Sequence, residues 1–393
     1  MADGRRVVAV LMLGSGLMGV TSSVMWNFTS LYAQSLGYSF YDIGVFNSIG
    51  LAASALLIPM LSMLVDLYGR KPFALLAALL NAGSAAVLIA SPSTPGFAAS
   101  FVMSNLSFLL WQSARGAIVG DVVRQSELGR AFSRISISFS AATLATPYLA
   151  GLLTQTMGYV PTFAIGTATS LAAAGAMALG LPETHGGASR RVTLSDIVRS
   201  VVPRGKGEVG LVAITCIDRY GWALWMPFLN PYLKAVYGLT NDVIGALAGL
   251  RTGAQLATVY LAGRLVDRLG GVAGFVASEV AGLLSALILG LRVPGPVGPV
   301  ATMVLFGVSI AFWIPAYNVL AIGVSESRSS VARVYGKMNF FRMSTSIPAP
   351  WIGGAIATLV SEALPFIAGA SILGLNTLLA YTLRRVFRTG RAG

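Results

Sequence analysis

Long apolar stretches alternate with short polar or charged intervals along the whole chain. Twelve of these stretches are long enough to cross the hydrocarbon core of a bilayer as helices, which takes about 20 residues each. The pattern therefore predicts an all-α protein with twelve transmembrane helices, which we number as segments 1 to 12. Their limits are 7–33, 43–64, 73–90, 96–119, 135–157, 162–181, 209–233, 243–265, 272–291, 299–322, 338–359 and 364–383.

The composition supports a polytopic membrane protein. Apolar residues make up 55% of the 393 residues and charged residues only 10%, whereas soluble domains carry about 25% charged residues. The 45 glycines fit as well, since glycine is more frequent in membrane helices than in soluble ones. Arg5 and Arg6 lead into an apolar run that is too long for the core of a signal peptide. We therefore expect an uncleaved first helix.

Lys and Arg fall mainly on one side of the predicted bilayer. Of the 27 basic residues, 21 lie in the intervals on the side of both chain ends, two (Lys234 and Arg292) lie in the opposite intervals, and four lie inside segments. By the positive-inside rule, we expect both termini in the cytoplasm and a multi-pass protein of the plasma or inner membrane. The net charge of +13 is spread over seven intervals, which argues against a nucleic-acid partner.

An internal repeat divides the chain into two halves. The run Asp66–Arg70 after segment 2 recurs as Asp267–Gly271 after segment 8, and Pro147 recurs as Pro350. The offsets are 201 and 203 residues, in the same order along the chain. A parallel repeat of six helices is typical of several transporter folds. The predicted parts are a six-helix bundle at 1–181, a cytoplasmic loop at 182–208, and a second bundle with a short basic tail at 209–393.

Short motifs carry a resemblance to a known family. Residues 62–71 read SMLVDLYGRK, which follows the pattern G-x-x-x-D-x-x-G-R-K except at its first position, and 263–271 is a weaker copy. Residues 127–132 and 182–184 are similar to that family's loop between helices 4 and 5 and to its helix 6 ending. In these motifs the whole chain resembles the major facilitator superfamily. The resemblance implies two pseudo-symmetric six-helix bundles that transport a solute by alternating access.

The turn after segment 2 is the first candidate for a gate. A tight turn needs Gly69 for a backbone with positive φ, and the Asp66 carboxylate can pair with Arg70 or cap a neighbouring helix. The resemblance implies a cytoplasmic latch that favours the outward-open state. A plain topogenic turn with a solvated ion pair is the alternative. The residues assigned to gating are Asp66, Gly69, Arg70, Lys71, Arg130, Asp267, Arg333, Pro147 and Pro350.

Prolines and small residues suggest where helices approach each other closely. Pro147 in segment 5 and Pro350 in segment 11 stand in degenerate copies of a motif that the family's antiporters carry. Proline kinks a helix, and small residues spaced by four form one close-packing face. Such a face can slide during transport or be static packing, and both interpretations stay open. The stripes are Gly245, Gly249 and Gly253 in segment 8, and Gly44, Ser48 and Ala52 in segment 2.

Charged residues inside the segments carry the argument on function. Asp218 and Arg219 lie near the midplane in segment 7, Arg251 lies in segment 8 and Glu279 in segment 9. Each costs about 3 kcal/mol in a bilayer unless it is paired or hydrated. Pairing of Asp218 with Arg251 would be the structural explanation. The resemblance instead makes Asp218, Arg219 and Arg251 candidates for the central cavity, with Glu279 bracing the second half.

Two further arginines lie near the cytoplasmic ends of their segments. Arg115 and Arg342 are within reach of snorkelling to the interface. The six intramembrane charges sum to a net +2, which favours an anionic substrate. The residues assigned to substrate binding or proton coupling are Asp218, Arg219, Arg251, Glu279, Tyr220, Asn318 and Arg115.

These observations predict a secondary active transporter. We expect proton coupling, because a carboxylate near the midplane can change its charge as its exposure changes. The substrate is expected to be a small molecule, with an organic anion favoured, and proton-driven export of lipophilic compounds is the alternative. A membrane sensor without transport, or an embedded enzyme, is the remote alternative from another class.

Other functional classes lack their usual signals. The chain has one cysteine, Cys216, one histidine, His185, and no G-x-x-x-x-G-K-[ST] phosphate loop. We therefore expect no enzyme activity, no metal and no cofactor. The expected partners are the substrate, protons and the lipid bilayer, and the protein is expected to act as a monomer.

Overall fold

A computed structural model describes residues 2–124, 127–183, 202–325 and 331–388, apart from the side chains of residues 2–3, 58–68 and 331–333. These described ranges contain fifteen α-helices and no β-strand. The helices are α1 (Ala2–Ser35), α2 (Phe40–Tyr68), α3 (Lys71–Ala90), α4 (Thr94–Val122), α5 (Leu128–Met157), α6 (Tyr159–Gly180), α7 (Gly205–Trp225), α8 (Leu229–Tyr237), α9 (Asn241–Leu269), α10 (Gly271–Gly290), α11 (Val297–Val324), α12 (Val331–Ser346), α13 (Pro348–Leu359), α14 (Leu364–Thr382) and α15 (Arg384–Arg388).

All twelve predicted segments are helical, but two of them are broken. Segment 7 forms α7, a 3₁₀ turn at Met226–Phe228, and α8. Segment 11 forms α12 and α13, which meet at Ile347. Each break has a proline next to it, Pro227 in the first and Pro348 in the second. Proline ends the helical hydrogen-bond ladder because it has no N–H.

Eight of the described helices are long and apolar enough to cross a membrane on those criteria alone. The other predicted segments correspond to α4, α7 with α8, α9, and α12 with α13, which carry the intramembrane arginines and Asp218 or are shortened by a break. Polar residues inside these helices lower their hydropathy. The eight spans are Gly4–Ser35, Phe40–Leu57, Lys71–Ala90, Leu128–Met157, Tyr159–Gly180, Gly271–Gly290, Val297–Val324 and Leu364–Thr382.

The internal repeat is visible in the backbone as well as in the sequence. The turn before α3 has Gly69 at φ 91°, and the turn before α10 has Gly270 at the same φ. Gly37 and Gly238, which precede α2 and α9, have φ of 89° and 65°. Residues with a side chain rarely adopt this conformation, so glycine is required at the same turns of both halves.

Backbone packing divides the chain into two compact units. Unit 1 contains Met1–Gly37, Ile49–Val192 and Leu239–Gly249, and unit 2 contains Tyr38–Ser48, Thr193–Gly238 and Leu250–Gly393. The helices α2 and α9 therefore each contribute their first turns to one unit and the rest to the other. The predicted bundle limits at 181 and 209 stay a prediction.

Each unit has its own apolar core. In unit 1, α1 packs on α5 and α6 and α3 packs on α4 and α6, around residues such as Leu11, Trp111 and Met177. In unit 2, α10 packs on α11 and α14 and α7 packs on α12 and α14, around Phe275 and its neighbours. These cores hold the polar side chains described next in fixed positions.

Candidate functional site

A buried ion pair lies in the interior of unit 2. Asp218, on α7, is only 2% exposed. Its Oδ2 atom accepts a hydrogen bond from Trp313 Nε1 at 3.2 Å and lies 3.6 Å from Arg342 Nη2. Three helices, α7, α11 and α12, thus supply the carboxylate, the indole and the guanidinium.

Arg342 also lies against two stacked aromatic rings. Its guanidinium carbon is 4.5 Å from the centre of the Trp313 ring and 5.5 Å from that of Tyr317. Trp313 and Tyr317 stack with their centres 4.5 Å apart and their planes at 18°. Aromatic faces attract cations, so the rings and Asp218 together hold the Arg342 guanidinium. This contact differs from the snorkelling to the interface that the depth of Arg342 allows.

A second carboxyl group lies next to Asp218. Glu279, on α10, is fully buried, and its Oε2 accepts a hydrogen bond from Asn376 Nδ2 at 3.1 Å. Asn376 also donates to the Ile214 carbonyl at 2.8 Å, which ties α14 to α7. The carboxyl groups of Glu279 and Asp218 also interact directly with each other.

Arg219 and Arg251 are the other charged residues of unit 2 that the sequence assigns to the site. Arg219 interacts electrostatically with both Asp218 and Arg342. Arg251, on α9, lies with its guanidinium carbon 5.1 Å from the centre of the Phe306 ring. Asp218 is therefore paired with Arg342, not with Arg251 as the structural explanation proposed.

The remaining assigned residues lie apart from the ion pair or contribute no described contact to it. Tyr220 is half-buried on α7. Asn318 is exposed on α11, where its Oδ1 accepts a hydrogen bond from Tyr335 at 2.6 Å. Arg115, on α4 in unit 1, contacts Gln112 one turn earlier on the same helix.

Asn376 and Arg342 were not among the residues assigned to this site from sequence. An arginine inside segment 11 is a usable signal for Arg342, but its depth alone favours the interface over this site. For a neutral asparagine in an apolar segment there was no comparable signal.

The predicted latch has a defined geometry in unit 1. Arg70 Nε lies 3.3 Å from Asp121 Oδ2 on α4. Glu183 Oε1 accepts hydrogen bonds from the backbone nitrogens of Arg70, at 3.0 Å, and of Lys71, at 3.5 Å. A methyl group on Gly69 would collide with this carboxylate. The turn is thus held by two acids, Asp121 and Glu183, that the sequence interpretation did not assign.

The other gating residues of the loops make no comparable cluster in the described structure. Arg130 and Asp267 are exposed. The side chains of Asp66 and Arg333 lie outside the described residues, so the expected pairing of Asp66 with Arg70 stays a prediction.

Comparison with known proteins identifies the family. The model of the Major Facilitator Superfamily matches residues 11–209 of this chain. The chain belongs to the Major Facilitator Superfamily. It is therefore a membrane transporter of this superfamily, with the all-α polytopic fold that its sequence predicts.

Named relatives and solved structures cover nearly the whole chain. Multidrug resistance protein MdtG of Dickeya zeae (strain Ech586) is 24% identical over 403 residues, which cover 98% of this chain and 96% of the relative. The protein of the same name from Escherichia fergusonii is 24% identical over 396 residues, covering 97% of this chain and 95% of the relative.

Two solved structures show the shared fold. The human organic anion transporter MFSD10 (TETRAN) has a TM-score of 0.68 at 18% identity, over 96% of this chain and 99% of that one. A mutant of the peptide transporter POT in complex with sulfate has a TM-score of 0.79 at 12% identity, over 98% of this chain and 96% of that one.

Within this Major Facilitator Superfamily chain, the small-residue stripes lie at close helix contacts. In unit 1, a methyl group on Gly245 of α9 would collide with the Pro147 carbonyl oxygen of α5. In unit 2, a methyl group on Gly44 of α2 would collide with the Pro350 carbonyl oxygen of α13. The two contacts are related by the internal repeat. The assigned prolines therefore mark two places where helix backbones approach each other closely.

The described residues also bear on metal binding. No group of three or more His, Cys, Asp or Glu side chains in the described ranges could hold a metal ion. The polar cluster of unit 2 contains two carboxyl groups, one guanidinium and an amide, which is a set suited to protons and charged or polar molecules.

Proposed function

We propose that this transporter is a proton-coupled exporter of lipophilic compounds that works by alternating access. The names of the relatives from Dickeya zeae and Escherichia fergusonii, both multidrug resistance proteins, support the substrate class. The observation that carries the coupling is Asp218, a buried carboxylate paired with Arg342 beside an aromatic wall.

Protonation of Asp218 changes the charge of the site. With Asp218 ionised, the carboxylate and the Arg342 guanidinium neutralise each other across 3.6 Å. With Asp218 protonated, Arg342 keeps its charge and loses its counter-charge. In a low-dielectric interior this difference is large, so a proton and a substrate that both act on the pair influence each other's binding.

The aromatic side chains supply apolar surfaces. Trp313 and Tyr317 stack beside the ion pair, and Trp222 stacks on Phe306 with ring centres 4.6 Å apart. Flat rings with few polar groups bind lipophilic and aromatic compounds of varied shape. Such surfaces suit an exporter that accepts several compounds.

Transport of an organic anion is the second candidate. It is favoured by the arginines of unit 2, since Arg219, Arg251 and Arg342 outnumber the Asp218 and Glu279 carboxyl groups. An anion held by Arg342 would take the place of Asp218 and travel together with a proton. Lipophilic export and anion transport thus differ in the direction of the pH gradient that drives them.

The gating assignments belong to the same proposal. The turn at Gly69, held by Asp121 and Glu183, is proposed as the cytoplasmic latch. The contacts of Pro147 with Gly245 and of Pro350 with Gly44, here called the seams, are proposed as the gate on the side opposite the cytoplasm. Polar contacts at a surface re-form at modest cost. We also propose that both termini lie in the cytoplasm, that the protein acts as a monomer and that protons are the coupling ion.

Reconstitution into proteoliposomes tests the function. We expect a permanently charged lipophilic cation to accumulate when the lumen is acidic, which corresponds to exchange against protons, and protein-free liposomes to show no accumulation. Asp218→Asn should abolish accumulation driven by the gradient and spare substrate exchange. Accumulation of an aromatic carboxylate only when the outside is acidic would contradict lipophilic export and support the second candidate.

A second ion pair provides a matched control. Lys337 Nζ lies 2.8 Å from Glu208 Oε2, and this buried pair joins the same helices, α7 and α12, as the Asp218 pair. Neutralising it as Glu208→Gln with Lys337→Met avoids a stranded charge. We expect this double variant to keep coupled accumulation, and its loss would show that any weakening of the α7 and α12 contact is enough to stop transport.

A further inference from the structure

Two carboxyl oxygens in the interior of unit 2 have no N–H or hydroxyl donor. They are Asp218 Oδ1 and Glu279 Oε1, and both atoms are buried. The second oxygen of each group is occupied, since Asp218 Oδ2 accepts from Trp313 and Glu279 Oε2 accepts from Asn376. Because the two carboxyl groups interact directly with each other, a proton held between them would satisfy both of these orphan oxygens.

Two ionised carboxylates cannot stay in contact in such a place. Like charges at hydrogen-bond distance in a low-dielectric interior repel strongly, and one group keeps a proton. Oδ2 of Asp218 and Oε2 of Glu279 already accept hydrogen bonds, so Oδ1 and Oε1, which accept none, are the favoured positions for this proton.

The surrounding groups decide which residue holds this proton. Asp218 receives an indole donor and the charge of Arg342, and Arg219 lies nearby. Glu279 receives the neutral amide of Asn376 at its Oε2, and the charge of Arg342 acts on it less than this amide does. Donors and positive charge favour the ionised form of a carboxyl group, so the anion is on Asp218 and the proton on Glu279.

We propose that Asp218 and Glu279 form a proton-sharing carboxyl pair, in which Glu279 keeps one proton on Oε1 throughout the cycle and Asp218 binds and releases the transported proton. The second clause rests on the proposed function, whereas the shared proton does not. Glu279 is in this view a positioning residue that donates to Asp218 Oδ1.

Other titratable groups also face the pair. On α7 these are Arg219 and Cys216, on α11 Tyr317, and on α12 Arg342. The thiol and the phenol are neutral at neutral pH, and α14 contributes the amide of Asn376. The singly protonated pair therefore carries one negative charge beside the two cations Arg342 and Arg219, and Arg342 is its ion-pair partner. A second proton leaves Arg342 without its counter-charge.

Infrared spectroscopy of the purified protein tests the shared proton without any transport assay. At neutral pH the wild type should show the C=O stretch of one buried protonated carboxyl group, and Glu279→Gln should lose this band. A wild type without the band, or a Glu279→Gln variant that retains it, would overturn the proposal.

Asp218→Asn provides the second readout, which also decides the case if Glu279→Gln does not fold. Trp313 and Arg342 would hold the oxygen of the new amide, so its NH₂ group would face Glu279 Oε1 and stabilise the ionised glutamate. Sharing therefore predicts that Asp218→Asn loses the band although Glu279 is intact. Protonation of Glu279 by burial alone predicts that the band persists, which would refute sharing.

Transport measurements separate the pair from the proposed function. The amide of Glu279→Gln can donate to Asp218 Oδ1 and still accept from Asn376, so proton-driven accumulation should be reduced but not abolished. Complete loss of coupling in this folded variant would show that Glu279 itself cycles and would contradict its holding role. The infrared band with no coupled transport at all would leave the pair standing and reject the proposed function.

Discussion

The interiors of the two units are built on the same helices of the repeat and differ in their polar groups. In unit 1, Asn81 on α3 donates to the Met18 carbonyl at 3.1 Å and to Ser170 Oγ at 3.0 Å, which ties α3 to α1 and α6. In unit 2, the corresponding α10, α7 and α14 are tied through Glu279 and Asn376. Neutral groups are thus sufficient for this packing, and the carboxyl group is an addition.

The energetic difference makes this comparison informative. A neutral interhelical hydrogen bond in a membrane protein stabilises by about 0.6–2 kcal/mol, whereas an intramembrane charge costs about 3 kcal/mol. Unit 1 keeps buried amide and hydroxyl partners, such as Thr21 with Ser170 at 2.7 Å. Unit 2 holds Asp218, Glu279 and Arg342 at a cost that packing does not require, which favours a functional role for them.

The largest expected effect breaks the charge balance of unit 2. Arg342→Gln would strand the buried Asp218 anion, and we expect the free energy of unfolding to fall by about 3–5 kcal/mol, with recovery of much of this loss in the double variant Asp218→Asn with Arg342→Gln. Thermal unfolding in detergent measures both. Arg264→Gln is the control, because Arg264 is exposed and lies over Tyr260. A single variant as stable as the wild type would show that the pair is not buried in the working protein.

The sequence predicts much of this arrangement, for physical reasons. Twelve helices follow from long apolar runs, and the repeat follows from matched turns such as Gly69 and Gly270. Asp218 and Glu279 are conspicuous because a charge inside an apolar run is expensive. The positions of Asp218 and Glu279 within their helices can therefore be predicted from the sequence alone.

The contact partners of Asp218 and Glu279 cannot be predicted from the sequence in the same way. Which arginine reaches Asp218 depends on how α7 and α12 pack. Depth along the segments alone places Arg342 near the interface and makes Arg251 the more obvious partner. Asn376 lies in segment 12 among apolar residues, where one amide gives no periodic signal. The two acids at the Gly69 turn, Asp121 and Glu183, come from distant parts of the chain for the same reason.

The glycine–proline contacts of the two units are equivalent, so disrupting either one should lower stability in the same way. Gly44→Ala in unit 2 and Gly245→Ala in unit 1 each place a methyl group on a proline carbonyl, and overpacking of this kind costs about 1–3 kcal/mol. The thermal stability of both variants should fall. Gly116→Ala is the control, since its added methyl would have open space. Equal stability of all three variants would mean that the seams yield easily.

The neutral network of unit 1 should matter for stability and leave proton coupling unchanged. Asn81→Leu removes the donors to Met18 and Ser170, and we expect a loss of about 1–2 kcal/mol in the free energy of unfolding. Unfolding in detergent and accumulation in proteoliposomes measure the two properties. Loss of coupling with little loss of stability would contradict the division between the neutral Asn81 network of unit 1 and the charged cluster of unit 2.

The smallest effect on stability is expected at the turn after α2, where the two units also differ. Arg70 pairs with Asp121 at 3.3 Å, and Asp121 is partly exposed, so Asp121→Asn should change the free energy of unfolding by less than about 1 kcal/mol. At the repeat position of unit 2, Gly271 replaces this arginine and Asp267 is exposed. If the turn is a latch, Asp121→Asn should lower the transport rate severalfold at unchanged stability. An unchanged rate in Asp121→Asn would leave the turn with a role in topology only.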